Sequence, residues 1–323
     1  MRLELLKCGL GSSALQQLGY CVLGLFFATV LAAKCAAASE IELAVKLSPE
    51  IERQLSLPEN KIDVANAALV FAKEFYPGID PKDYSARIDA LVAEAKRLAN
   101  GSQDPETRIR VLNTVLFRYE GYHYDRSPLS RSRQDYYFLN GILDTKQGIC
   151  YTMPLLYIAV AQRLGYPIYP VHAPDHVFVR YLDPSFQQQN IETTSGGKYI
   201  GDDLYIRDFA IGKRGLDSGS YMRTLTYHEF LADMLSANAL FWGRQNGQKA
   251  IAYLARARAI DPRTADYSES LGRGFGGMAK FVKSREQQAQ YTKIAMHFAK
   301  QAQELGYVSP QEIKTERERI RGQ

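Results

Sequence analysis

Cys150 and His176 are the residues whose types and spacing could do chemistry. Cys150 follows Gly148-Ile149 and opens a segment in which Tyr151, Pro154, Leu155, Tyr157, Ile158, Val160 and Ala161 recur at helical spacing. Pro154 falls in the first turn, where a missing N–H costs little. Arg163-Leu164-Gly165-Tyr166-Pro167 closes the helix with a glycine and a proline. His176 begins a β-like run 26 residues after the cysteine. A thiol at a helix N-terminus meets the positive end of the dipole and free N–H groups, which favour a thiolate. A nearby imidazole would complete an activated nucleophile.

Thiol chemistry of this kind also needs a group that fixes the imidazole tautomer. Glu192 fits, because Asn190 to Thr194 is a β-like run that can pair with the histidine strand. Asp183 is the rival, although it follows the strand and precedes Pro184. Gln147 lies three residues before the cysteine and could donate to an oxyanion together with the Cys150 backbone N–H, or serve only as a loop polar group. His172 and His176 are four apart, a spacing that suits zinc on a helix. Pro170 and Pro174 argue against a helix there, so no metal is expected. Gly272, Gly274 and Gly277 match G-x-G-x-x-G without a preceding strand, which predicts a flexible turn between helices and no nucleotide cofactor. His123, His228 and His297 read as structural or surface residues.

The elements that must position these residues follow from periodicity. Asn60 to Tyr76 carries an apolar face, and Asp80-Pro81 and Asp104-Pro105 are capped helix starts. The resulting stripes, such as Ile88, Leu91, Ala95 and Leu98, are core positions. Ser127 to Ser132 reads as loop. After the cysteine helix come β-like runs at Pro167–His172, His176–Leu182 and Asn190–Thr194, with Tyr199-Ile200 and Leu204-Tyr205-Ile206 as continuations. This order predicts an α+β fold, an antiparallel sheet packed on the cysteine helix. Beyond Thr224 the chain is helical again. Gly247 to Ile260, closed by Asp261-Pro262, and Tyr291 to Tyr307 resemble tetratricopeptide helices. The expected organisation is a leader over 1–38, a helical region over 39–111, the cysteine domain over 112–223, a helical repeat-like region over 224–310 and a charged tail over 311–323.

The first residues set the expected compartment. Arg2 and Lys7 precede an uncharged stretch to Ala33, and Ala36-Ala37-Ala38 offers a small-residue cleavage site. This predicts a signal peptide and a periplasmic protein, or a membrane anchor if the segment is not cleaved. Of the four cysteines, Cys8, Cys21 and Cys35 fall in that leader. Cys150 then stands alone, either a reactive thiol or an inert buried residue. A charge of +5 with no Lys/Arg block excludes a nucleic-acid footprint.

Gly148-Ile149-Cys150, Leu155-Leu156-Tyr157, Arg163-Leu164-Gly165-Tyr166-Pro167 and Pro174-Asp175-His176-Val177-Phe178-Val179-Arg180 together resemble the transglutaminase-like superfamily. The pattern is similar to its bacterial branch with C-terminal tetratricopeptide-like helices, to which Leu112–Phe117 and Leu139–Leu143 also correspond. The resemblance implies a papain-like core and a Cys-His-Asp/Glu triad at Cys150, His176 and Glu192. Many members carry Asp in the third slot and an aromatic directly after the histidine, where this chain has Glu192 and Val177-Phe178. Two functions follow as expectations. One is an exported thiol hydrolase or acyltransferase acting on peptide or protein amides. The other is a catalytically silent adaptor that binds a protein partner through its helices.

Overall fold

The computed structural model describes residues 46–187 and 189–322, and the expected leader lies outside them. Capped helices come first: α1 (Pro49–Leu55), α2 (Val64–Ala72), α3 (Pro81–Ala99) and α4 (Pro105–Asn113). Asp63, Asp80 and Asp104 accept from the backbone N–H groups of Asn66, Lys82 and Thr107, satisfying donors that a helix start leaves open. α3 stops where Asn100 and Gly101 turn left-handed, with φ of 45° and 75°. α4 continues into a π-helical turn over Thr114–Tyr119.

A short parallel pair, β1 (His123–Tyr124) with β2 (Gln147–Gly148), brackets α5 (Leu139–Thr145) and leads into the cysteine. α6 (Thr152–Arg163) follows, with Thr152 through Ala161 buried without interruption. A helix enclosed on all sides needs no polar face, which explains the breadth of its apolar pattern. Its polar C-terminal end is tied to the earlier helices. The Gln162 amide accepts from Val64 N–H at 2.9 Å and donates to the Ile62 carbonyl at 2.8 Å, and Arg163 pairs with Asp63 and Asp89.

Four antiparallel strands, β3 (Ile168–Ala173), β4 (His176–Tyr181), β5 (Asn190–Glu192) and β6 (Lys198–Tyr199), form one sheet in that order. Ala173 pairs with His176 across the two-residue turn Pro174-Asp175, and Asp175 takes a left-handed φ of 55°. Asp tolerates that conformation better than most residues. The architecture is thus mixed helix and sheet. One continuation of the sheet is not a strand. Leu204-Tyr205-Ile206 lies in α7 (Asp202–Asp208), where Asp202 and Asp203 place negative charge at the helix start. Tyr205 is still buried, stacked on Phe178 with ring centroids 3.9 Å apart.

α8 (Lys213–Asp217) leads to a helical C-terminal region: α9 (Tyr227–Trp242), α10 (Gly247–Ile260), α11 (Ala265–Ala279), α12 (Arg285–Glu304) and α13 (Pro310–Arg321). The glycines expected to form a flexible turn lie inside α11. Close helix packing is the reason: a methyl group on Gly272 would sit 3.2 Å from the Ala295 carbonyl oxygen and the Ala299 nitrogen of α12. The chain then returns to the sheet. Val308 and Ile313 join Val171, Phe178, Tyr205 and Tyr221 in one apolar cluster. Among the described residues no helix is long and apolar enough to cross a membrane.

Candidate active site

Cys150 sits two residues ahead of α6, half-buried, with Tyr151 as the flanking residue at the helix start. Glycine at 148 is a packing requirement: a methyl there would lie 2.7 Å from the Ile142 side chain and 3.0 Å from Thr152 Oγ1. Thr152 fixes the approach to the helix by accepting from Ile149 N–H at 3.1 Å and donating to the Tyr136 carbonyl at 2.8 Å. The cysteine sulfur donates to the Asp175 carbonyl at 3.7 Å, so the turn of the β3–β4 hairpin reaches over it.

His176, the first residue of β4, is carried to the sulfur by that hairpin. Its Nε2 donates to Glu192 Oε2 at 2.7 Å, and the two side chains are only 10% and 5% exposed. The other ring nitrogen, Nδ1, takes no part in that bond. Burial alone would lower the imidazole pKa. Hydrogen bonding to Cys150 and Glu192, with their charges, outweighs burial and pushes it up to about 10. Glu192 shows the mirror behaviour. Burial would raise it, but the bond from His176 and those from Thr194 and Tyr205 hold it below the ordinary carboxylate value. Glu192 Oε1 accepts from Thr194 N–H at 2.9 Å and Thr194 Oγ1 at 2.6 Å, and Oε2 also accepts from Tyr205 OH at 2.8 Å. With all its bonds made, the carboxylate is fixed in place.

The other sequence candidates stand elsewhere. Asp183 lies in the exposed loop after β4 and accepts from Ser185 N–H and Oγ at 2.9 and 2.7 Å. Gln147, in β2, has its amide oxygen bonded by Tyr136 OH, and it is not among the residues lining the clefts at Cys150. His172 diverges from His176 and bonds Asp233 Oδ2 at 2.6 Å, while Tyr267 donates to the other oxygen of Asp233 at 2.5 Å.

Three contributors escape a sequence reading. Arg131, in what reads as loop, forms an ion pair with Asp175 and approaches the cysteine sulfur at 3.9 Å. Tyr205 bonds Glu192, and Phe209 stacks on His176 with centroids 5.0 Å apart. The only sequence signal is their residue type, because each reaches the site through tertiary packing. Two clefts meet here. One of about 350 Å³ is lined by Tyr124, Arg126, Glu192, Phe209 and Arg317. The other, of about 700 Å³, runs along His172, Leu240, Asp266 and Tyr307. Arg131, Cys150, Asp175 and His176 line both.

Residues 82–235 match the family described as the transglutaminase-like superfamily. Human F-box only protein 21 is 29% identical over 154 residues, a stretch covering 42% of this chain and 23% of that protein. A UPF0162 protein of Xylella fastidiosa (strain Temecula1) is 24% identical over 125 residues, 39% of this chain and 44% of the relative. The chain thus spans about a quarter of the F-box proteins' length. Among solved structures, that of menin, described as revealing the binding site for Mixed Lineage Leukemia protein, aligns with a TM-score of 0.46 at 13% identity, over 78% of this chain and 60% of menin. Over residues 82–235 the chain carries a transglutaminase-like domain.

Proposed function

We propose that this domain is a thiol-dependent hydrolase or acyltransferase acting on peptide or protein amides, with Cys150, His176 and Glu192 as its triad. The observation that carries the reading is the 2.7 Å bond between His176 and Glu192, with His176 and Cys150 lining the same two clefts. Cys150 Sγ attacks the amide carbonyl carbon while its proton rests on His176 Nδ1. The carbonyl electrons move to oxygen and return as the C–N bond breaks. His176 gives its proton to the departing amine, leaving a thioester. Water as acceptor completes hydrolysis, and an amine completes transfer. Glu192 holds the imidazole tautomer and offsets its charge. Arg131 sets a fixed positive charge beside the sulfur, the kind of surroundings reactive thiols occupy. The Cys150 backbone N–H serves the oxyanion, and Gln147, turned to Tyr136 and absent from the cleft walls, does not.

The test is selective alkylation at neutral pH. Iodoacetamide should modify Cys150 at least about tenfold faster than free cysteine, and His176→Ala should abolish the difference. Equal rates for wild type and free cysteine would sink the reading. A second reading, a silent adaptor, is favoured by the 700 Å³ cleft along the C-terminal helices. In that reading these helices act as tetratricopeptide-like repeats, and Cys150→Ala leaves partner binding unchanged with no acyl-enzyme trapped. Export to the periplasm belongs to both readings and rests on the basic and apolar pattern of residues 2–38.

A further inference from the structure

We propose that the smaller cleft binds a carboxylate of the substrate between Arg126 and Arg317, next to the reacting thiol. The inference rests on the reading of Cys150 as the attacking thiol and adds the chemistry of what it attacks. Each arginine is braced on a ring that borders the site. The Arg126 guanidinium lies 5.9 Å from the centre of the Tyr124 ring, and Tyr124 pairs in register with Gly148 just ahead of the cysteine. The Arg317 guanidinium lies 4.6 Å over Phe209, the ring stacked on His176. Arg317 Nε donates to the Asp208 carbonyl at 3.0 Å, which orients the fork and leaves its two terminal nitrogens for a ligand.

The carboxylates lining this cleft are already engaged: Asp175 by Arg131, Glu192 by His176 and Asp208 by Arg207. Among the described residues neither Arg126 nor Arg317 has a carboxylate partner, so the wall holds two uncompensated guanidinium groups. Ile200, Leu204 and Ile313 line the same cleft beside them. A planar fork matches a carboxylate in a bidentate geometry. Arg317 stands in α13, well beyond the family-matched segment that ends at residue 235.

Iodoacetate and iodoacetamide test the proposal, because they alkylate one sulfur and differ only in carboxylate against amide. On the full chain, Arg126→Gln with Arg317→Gln should lower the iodoacetate-to-iodoacetamide rate ratio at Cys150 at least about fivefold, the scale of local electrostatic steering. The iodoacetamide rate should stay within about twofold, and each single variant should give part of the effect. Both residues are exposed, so the exchanges leave the core intact. An unchanged ratio, or two rates falling together, overturns the proposal. Failure of the acyl-enzyme reading would show separately, as a slow wild-type iodoacetamide rate. The source of the carboxylate is read from protection against iodoacetamide. Protection by acetyl-Ala-Ala but not its C-terminal amide supports a chain-terminal carboxylate, and protection by acetyl-Glu amide supports an acidic side chain. Equal protection by neutral amides overturns the proposal.

Discussion

Glu192 is the residue on which the site's geometry turns, and it is also the one whose placement could be argued from a strand. Its five-residue run had to pair with the histidine strand for any carboxylate to reach His176, and β5 does so with Val179 opposite Ile191. Removing one member of a buried pair leaves the other charge uncompensated. Glu192→Ala should therefore cost about 3 kcal/mol in urea unfolding at pH 6, while Asp183→Asn, in an exposed loop, should stay within about 0.5 kcal/mol. The pH dependence has a definite sign. His176 is raised from its ordinary 6.5 to about 10 in the folded state. Its contribution is fully present below pH 6.5 and is lost as pH rises through 10. Wild type should lose stability across that window, and Glu192→Ala should lose less. A steeper loss in the variant would contradict this origin. Arg131 was not legible, because a loop arginine acquires meaning only when the Pro174-Asp175 turn is folded against it.

Helix starts and the cysteine helix were legible because their causes are local: an aspartate, a proline, a left-handed asparagine. Leu204 to Ile206 was not, because three apolar residues suit a strand or a helix equally, and the acidic pair before them decided. The glycines of α11 failed for a different reason. Propensity counts what a glycine costs its own helix and is blind to what a neighbouring helix gains by coming near. The two can be separated. Gly272→Ala forces a methyl against α12 backbone and should destabilise by about 1 to 3 kcal/mol. Gly277→Ala, with nothing within 4 Å, should stabilise by about 0.5 to 1 kcal/mol. Thermal or urea unfolding of the pair checks both signs, and destabilisation by both would mean that α11 needs its glycines for something other than packing.

At the scale of the whole described unit, the last helix is part of the histidine's support. Ile313 of α13 shares an apolar cluster with Phe178 and Tyr205, and Tyr205 in turn bonds Glu192. Ile313→Ala should cost about 2 to 3 kcal/mol and should also slow alkylation of Cys150, although the residue lies 163 positions later in the chain. A stability loss with an unchanged alkylation rate would mean that the cluster holds the fold without tuning the site. No local pattern announced this coupling, since it depends on the chain returning to a sheet it had left more than a hundred residues earlier.

The sulfur's acceptor is a main-chain oxygen of the hairpin tip, that of Asp175. A peptide arriving at the thiol brings an oxygen of the same kind. If the proposed reaction holds, the protein keeps a stand-in for its substrate at the threshold, latched by one guanidinium. Loosening that latch would change how readily bulky molecules are admitted while leaving the bond-making groups where they are.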